Sequence, residues 1–279
     1  MRGYKSIMVH VTTEEDASAR IALAVDLAEQ FDAHLIGLGA GCINLPAYAV
    51  DDGTAAAMLF EVEDKNLQSD LQAAEARFFS MLKQGSVKAE WRAFTDFPAD
   101  VLAREARSAD VVILGHEWTA SSAGISCAAN PGDVLLRAGR PILLVPPKIS
   151  QLAASRVLIA WKDTREARRA VMDALPILCG AEQVNVVEIC EDDRDQEAAA
   201  SRAKDVARYL VRHGIGAEGS ASLLRESSVS AQIALAARQQ GADLIVSGGY
   251  GHARLQEWVF GGMTRDLLRH SELCCLLSH

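Results

Sequence analysis

Apolar residues fall along this chain in short continuous runs separated by longer, Ala-rich amphipathic stretches. Residues 6–11 (Ser-Ile-Met-Val-His-Val), 110–115 (Asp-Val-Val-Ile-Leu-Gly) and 141–145 (Pro-Ile-Leu-Leu-Val) are runs of this kind. Strands near 33–39 and 87–93 complete a first set, and a second set falls near 155–161, 183–189, 217–223, 243–248 and 273–277. Near-continuous apolar strands that alternate with helices indicate a parallel sheet covered on both faces. The intervening stretches 13–31, 61–83 and 164–179 carry helical periodicity. The 61–83 stretch reads as a packing helix.

The two sets repeat one another. Ala109-Asp110-Val111-Val112-Ile113-Leu114-Gly115 matches Ala242-Asp243-Leu244-Ile245-Val246-Ser247-Gly248, and the run that ends at Val145 matches the run that ends at Leu277. A period this long points to two copies of one supersecondary plan. The expected fold is therefore α/β, with two doubly wound five-stranded parallel-sheet domains of Rossmann-like type in tandem. Their expected bounds are 1–148 and 153–279, with Gln151-Leu152-Ala153-Ala154 as the linker.

Composition narrows the function. At 279 residues the chain is long enough for two domains, and 49% hydrophobic with 23% charged residues marks a globular protein. A formal charge of −9 argues against nucleic acid as a main partner, because phosphate backbones are bound chiefly by Lys and Arg. No apolar run approaches the roughly 20 residues that span a bilayer, and the first residues lack a secretory pattern. The expectation is a cytoplasmic protein with neither a membrane nor a nucleic-acid partner. The six cysteines show no CxxC pair or His/Cys ligand spacing, so no metal site is expected. Gly39-Ala40-Gly41 reads as a turn.

Candidate chemistry gathers after the strand at 243–248. There the chain reads Gly248-Gly249-Tyr250-Gly251-His252, and later Gly261-Gly262-Met263-Thr264-Arg265 at the start of a helix. Glycines leave backbone N–H groups uncovered, and a helix N-terminus adds its positive dipole end, which together suit a phosphate. In an open parallel sheet the ligand lies beyond the carboxyl ends of the strands, where strand order reverses. Neither a Walker A loop nor the Gly-x-Gly-x-x-Gly dinucleotide fingerprint is present. No nucleophile–base pair is specified by spacing, so an enzyme is not expected beyond slow hydrolysis of a bound nucleotide.

These features resemble the universal stress protein family in its tandem form. The family's phosphate motif is Gly, two residues, Gly, nine residues, Gly and then Ser or Thr, and Gly248, Gly251 and Gly261 fill its glycine positions. The resemblance implies a stress-response sensor or regulator whose second domain binds ATP or a related adenine nucleotide, with Mg²⁺ as a possible companion. The expected phosphate and nucleotide contacts are Gly248, Gly251, His252, Gly261, Gly262, Met263 and Thr264, with Ala160, Lys162 and Asp163 at the end of the domain's first strand. Gly262 stands where the family's ATP binders have Ser or Thr, and Lys162 stands where they have Asp. Lys162 can serve a phosphate as a point charge but cannot accept hydrogen bonds from adenosine. Asp163 either lines the site or caps the helix that follows.

The first half has lost the motif: Trp118, Ala129 and Asn130 stand near its later positions, and Thr12 stands at that of the Asp. A scaffold role is expected there. The family also implies that the last strands, 141–145 and 273–277, pair within the chain, and a homodimer is a further expectation. The competing expectation is a non-nucleotide interaction scaffold of the same fold.

Overall fold

A computed structural model describes residues 3–44, 53–82, 85, 87–116, 124–250 and 262–279. These residues form two compact units, one of Tyr4–Ala138 with Pro147–Gln151, the other containing Gly139–Pro146 and Leu152–His279.

In the unit that begins at Tyr4 the order is β1 (Ser6–His10), α1 (Ala17–Phe31), β2 (His34–Asn44), α2 (Gly53–Ser80), β3 (Ala89–Thr95), α3 (Pro98–Glu105), β4 (Val111–Gly115), β5 (Gly124–Ser126) and α4 (Pro131–Arg137). The strands pair in parallel in the order β3-β2-β1-β4. Helix α2 begins earlier than its apolar pattern suggests and seats Leu67, Leu71, Ala74 and Phe78 against the sheet, a helical spacing of buried positions. Room for that helix comes from glycine. A Cβ on Gly37 would meet the Phe78 ring at 2.9 Å, and one on Gly39 would meet Trp91 at 2.7 Å. Gly39-Ala40-Gly41 is therefore strand and not turn, because its glycines admit large aromatic side chains.

The other unit runs β6 (Ile142–Val145), β7 (Arg156–Trp161), α5 (Arg165–Leu178), β8 (Gln183–Cys190), α6 (Gln196–Arg212), β9 (Ala217–Leu223), α7 (Val229–Gln240), β10 (Leu244–Gly248), α8 (Gly262–His270) and β11 (Cys274–Ser278). Its strand order is β6-β11-β10-β7-β8-β9, parallel except for β6, which lies antiparallel to β11 with Leu143 opposite Leu276. Contacts thus group residues 139–146 with the second half, because β6 pairs with β11. The two last strands pair as the repeat and the resemblance suggest.

Helix α5 starts where Thr164, in extended backbone, accepts a hydrogen bond from the Ala167 amide, and it buries Ala167, Ala170, Val171, Ala174, Ile177 and Leu178. Alanine keeps α6 equally close. A Cβ on Gly219 of β9 would sit 2.4 Å from the Ala203 backbone, so this helix and strand pack at backbone distance.

One detail occurs twice. The Asp110 carboxylate accepts from the amides of Lys5 (2.7 Å) and Ser6 (3.0 Å), and the Asp243 carboxylate accepts from those of Ser155 (3.0 Å) and Arg156 (3.2 Å). In each unit an aspartate before the fourth strand thereby ties down the start of the first. The matching Ala-Asp pairs in the sequence carry this shared tie.

Candidate functional site

From β7 the chain builds outward through β8 to β9, then crosses to the other side of β7 to form β10. Strand order reverses there, and the carboxyl ends of β7 and β10 flank the crevice that such a reversal opens. Ala160 lies directly across from Ser247 in the ladder, which sets Trp161, Lys162 and Asp163 beside Gly248 and Gly249.

Gly248 is required for packing. A Cβ there would stand 2.5 Å from the Ala167 nitrogen and 2.7 Å from the Glu166 carbonyl carbon, both backbone atoms of the first turn of α5. The left-handed conformation falls on Tyr250, whose φ is 58°, an uncommon one for a bulky residue. Three contacts hold this stem. The Gly249 amide donates to the Ser278 carbonyl (2.8 Å), His279 Nδ1 donates to the Gly249 carbonyl (3.1 Å), and the Tyr250 amide donates to Thr264 Oγ1 (3.3 Å).

The two helix N-termini at this end differ in character. In α5 the first turn is satisfied by its own residues, since Thr164 caps it and the buried Glu166 carboxylate occupies its positive end. Burial would push Glu166 up, but hydrogen bonds from its own backbone amide, Thr164 and Arg165 outweigh burial and hold the carboxyl below the usual range. The first turn of α8 carries no acidic residue, while Arg269 and His270 stand in its last turn. Gly262 opens it, exposed, and a Cβ there would meet nothing within 4 Å among the described residues. The positive dipole end of α5 thus carries a carboxylate, whereas that of α8 carries none from its own first turn.

Helix α8 is tied on its other side. Asp266 accepts from the Ser230 hydroxyl, which is itself 2.8 Å from the hydroxyl of Ser228, the N-cap of α7. Ser228, Ser230, Asp266, Ser278 and His279 went unnoticed in the sequence. Ser228 and Ser230 meet Asp266 of α8, while Ser278 and His279 meet Gly249, and no local pattern marks either set.

Among the expected site residues, Gly248, Gly262, Met263, Thr264 and Ala160 lie on the elements that form this end of the sheet. Thr264 is buried, with its oxygen engaged by Tyr250. Lys162 is exposed. Asp163 does not cap α5; Thr164 does, one residue later, and the Asp163 carboxylate instead meets Arg168 at 2.5 Å. Gly251, His252 and Gly261 lie outside the described residues. The Trp161 indole Nε1 is buried and has no hydrogen-bond acceptor among the described residues. Among those residues, no group of His, Cys, Asp or Glu is arranged to hold a metal ion, and no helix is long and apolar enough to cross a membrane.

The corresponding end of the other unit is built differently. Arg77 of α2 donates to the carbonyls of Thr12 (3.2 Å) and Glu14 in the loop after β1. The chain after β4 returns as β5 and pairs antiparallel with the end of β2, Ile125 opposite Ile43. Backbone groups of β5 are thereby spent on a strand ladder. Asn130 caps α4, accepting from Gly132 (2.9 Å) and Asp133 (3.4 Å), and Trp118 lies outside the described residues.

The second unit is thus a doubly wound α/β sheet with a glycine stem at its switch point. Residues 153–278 match the model of the Universal stress protein family. Over its full length the chain is similar to the crystal structure of a universal stress protein from Archaeoglobus fulgidus DSM 4304, at 15% identity and a TM-score of 0.67, covering 98% of this chain and 95% of that one. It is also similar to a functionally unknown protein from Pseudomonas aeruginosa PAO1 (16% identity, 99% and 93% covered, TM-score 0.59). A putative universal stress protein from Pseudomonas aeruginosa UCBPP-PA14 matches as well (15% identity, 99% and 94% covered, TM-score 0.57). At these identities the likeness is one of fold, and the full-length coverage fits two domains of this fold in tandem. No curated protein matches the chain.

Proposed function

We propose that this chain is a tandem universal stress protein, with domains at 1–148 and 153–279, whose second domain binds a phosphate-bearing ligand, an adenine nucleotide or one similar to it, and acts as a sensor or regulator. The observation that carries the reading is the contrast between the helix ends. Helix α8 begins at Gly262 with no described residue within 4 Å of an added Cβ and no first-turn acid, while α5 is closed by Thr164 and Glu166. Phosphate would lie against the α8 amides. The buried Trp161 indole N–H offers a donor at the end of β7, and Lys162 a positive charge. Thr264 serves the loop stem through Tyr250, leaving Gly262 as the place where a hydroxyl would face phosphate. The first domain is a scaffold in which Arg77 engages the loop after β1 and β5 pairs with the end of β2. The function is binding and not turnover.

The test is to denature purified protein and identify released small molecules by mass spectrometry, then to titrate ATP calorimetrically with and without Mg²⁺. Bound nucleotide, or saturation at or below millimolar ATP, supports the reading. No released nucleotide and no binding at millimolar ATP overturns it. A second reading, an interaction scaffold without nucleotide, is favoured by one feature. The carboxylate nearest the adenosine end, Asp163, is committed to Arg168.

A further inference from the structure

A connected line of polar contacts runs from the start of β6 to the stem of the glycine loop. Arg169 of α5 donates to the Gly139 carbonyl (2.6 Å) just before β6 and lies 3.6 Å from the Asp173 carboxylate one turn along. Asp173 accepts from the Ser278 hydroxyl (2.9 Å) at the end of β11. The Ser278 carbonyl then accepts from the Gly249 amide (2.8 Å). Ser278 is fully buried, so the seat of its side chain fixes where its carbonyl points.

Asp173 is an expensive residue at this place. Burial pushes its carboxyl up, against the hydrogen bond from Ser278 and the charges of Arg169 and Arg140. An apolar residue on the inner face of α5 would avoid that cost. Among its contacts, the carboxylate gives the Ser278 hydroxyl a fixed acceptor.

We propose that Asp173 is a positioning residue for the glycine loop: by holding the Ser278 hydroxyl it fixes the last residue of β11, and through the Ser278 carbonyl it fixes Gly249 and the left-handed Tyr250. Its consequence for ligand affinity rests on the phosphate-binding reading, whereas the positioning itself does not. Arg169 extends the same line to the Gly139 carbonyl, so the seat of β6 and the stem of the loop share one anchor.

The experiment compares Asp173→Asn, Asp173→Leu and Ser278→Ala in the full chain by amide hydrogen exchange and by ATP calorimetry. Asparagine keeps an acceptor oxygen for Ser278; leucine does not. Exchange at Gly249 and Tyr250 should rise roughly tenfold in Asp173→Leu and Ser278→Ala, with Val246 and Ile159 unchanged, and stay near wild type in Asp173→Asn. ATP affinity should fall by about fivefold or more in the first two variants and hold in the third. Unchanged exchange at Gly249 in Ser278→Ala, or a rise in Asp173→Asn equal to that in Asp173→Leu, overturns the inference. If the wild type binds no ATP, the functional reading fails, and the exchange data still decide the positioning role.

Discussion

Replacing Gly248 with alanine should damage the fold, whereas the same change at Gly262 should not, although both belong to one glycine motif. The Cβ added at Gly248 would lie 2.5 Å from the Ala167 nitrogen, 2.7 Å from the Glu166 carbonyl carbon and 2.9 Å from the Ala167 Cα. Ordinary contact needs about 3.5–4.0 Å, so helix α5 must retreat from β10 by roughly 1 Å. All three atoms are backbone, and no side-chain rotation relieves them. Overpacking of this kind costs about 1–3 kcal/mol. For a unit of this size each kcal/mol lowers Tm by roughly 2–4 °C, so Gly248→Ala should melt about 2–12 °C below wild type. At Gly262 nothing among the described residues stands within 4 Å, and alanine should change stability by no more than about 0.5 kcal/mol. Thermal melts followed by circular dichroism measure both. A Gly248→Ala protein that melts with the wild type, or a Gly262→Ala protein that falls as far, refutes the division of labour between the two glycines.

Two carboxylates of α5 should respond to pH with opposite sign. Glu166 is held low, so its stabilisation is complete above about pH 4.3 and is lost as pH falls through its depressed value, a loss that Glu166→Gln abolishes. Asp173 is held high, so its contribution is full below about pH 3.9 and is lost as pH rises through its raised value; Asp173→Asn should flatten that decline in melts across the acid range. Burial pushes the thiols of Cys274 and Cys275 up to about 12, while Cys179 is exposed. Iodoacetamide at roughly pH 8 should therefore label Cys179 in the native protein and reach the adjacent pair only after denaturation, as peptide mass spectrometry would show. Asp110→Ala and Asp243→Ala each strip the acceptor from two backbone amides and should each cost about 1–3 kcal/mol in urea unfolding, and near-wild-type midpoints would refute the tie.

Much of this fold was legible because its central strands, such as β1, β4, β6, β7, β10 and β11, are largely buried and read as apolar runs. The repeat was legible because Ala-Asp before the fourth strand performs the same structural task in each half. Strand β5 was not, since Gly124-Ile125-Ser126 is too short to show a period and forms only against the end of β2. Gly39 resembled part of a turn because its purpose lies on another element, in the ring of Trp91. At the candidate site the motif pointed to the carboxyl end of β10. It did not separate Gly248, whose task is packing, from Gly262, which stands open, nor show that Thr164 and not Asp163 caps α5. Those distinctions depend on atoms distant in sequence.

Strand β6 carries a lesson about how this gene can be cut. A fragment that starts at the apparent boundary near residue 153 would retain every helix of the second half yet lose the strand that covers β11. The bare ladder of Cys274–Ser278, all five residues buried in the intact chain, would then offer unused amides and carbonyls beside an apolar surface. Such a fragment would recruit whatever strand it met, a twin fragment first. Severing the halves at the apparent boundary would turn a self-contained protein into a sticky one.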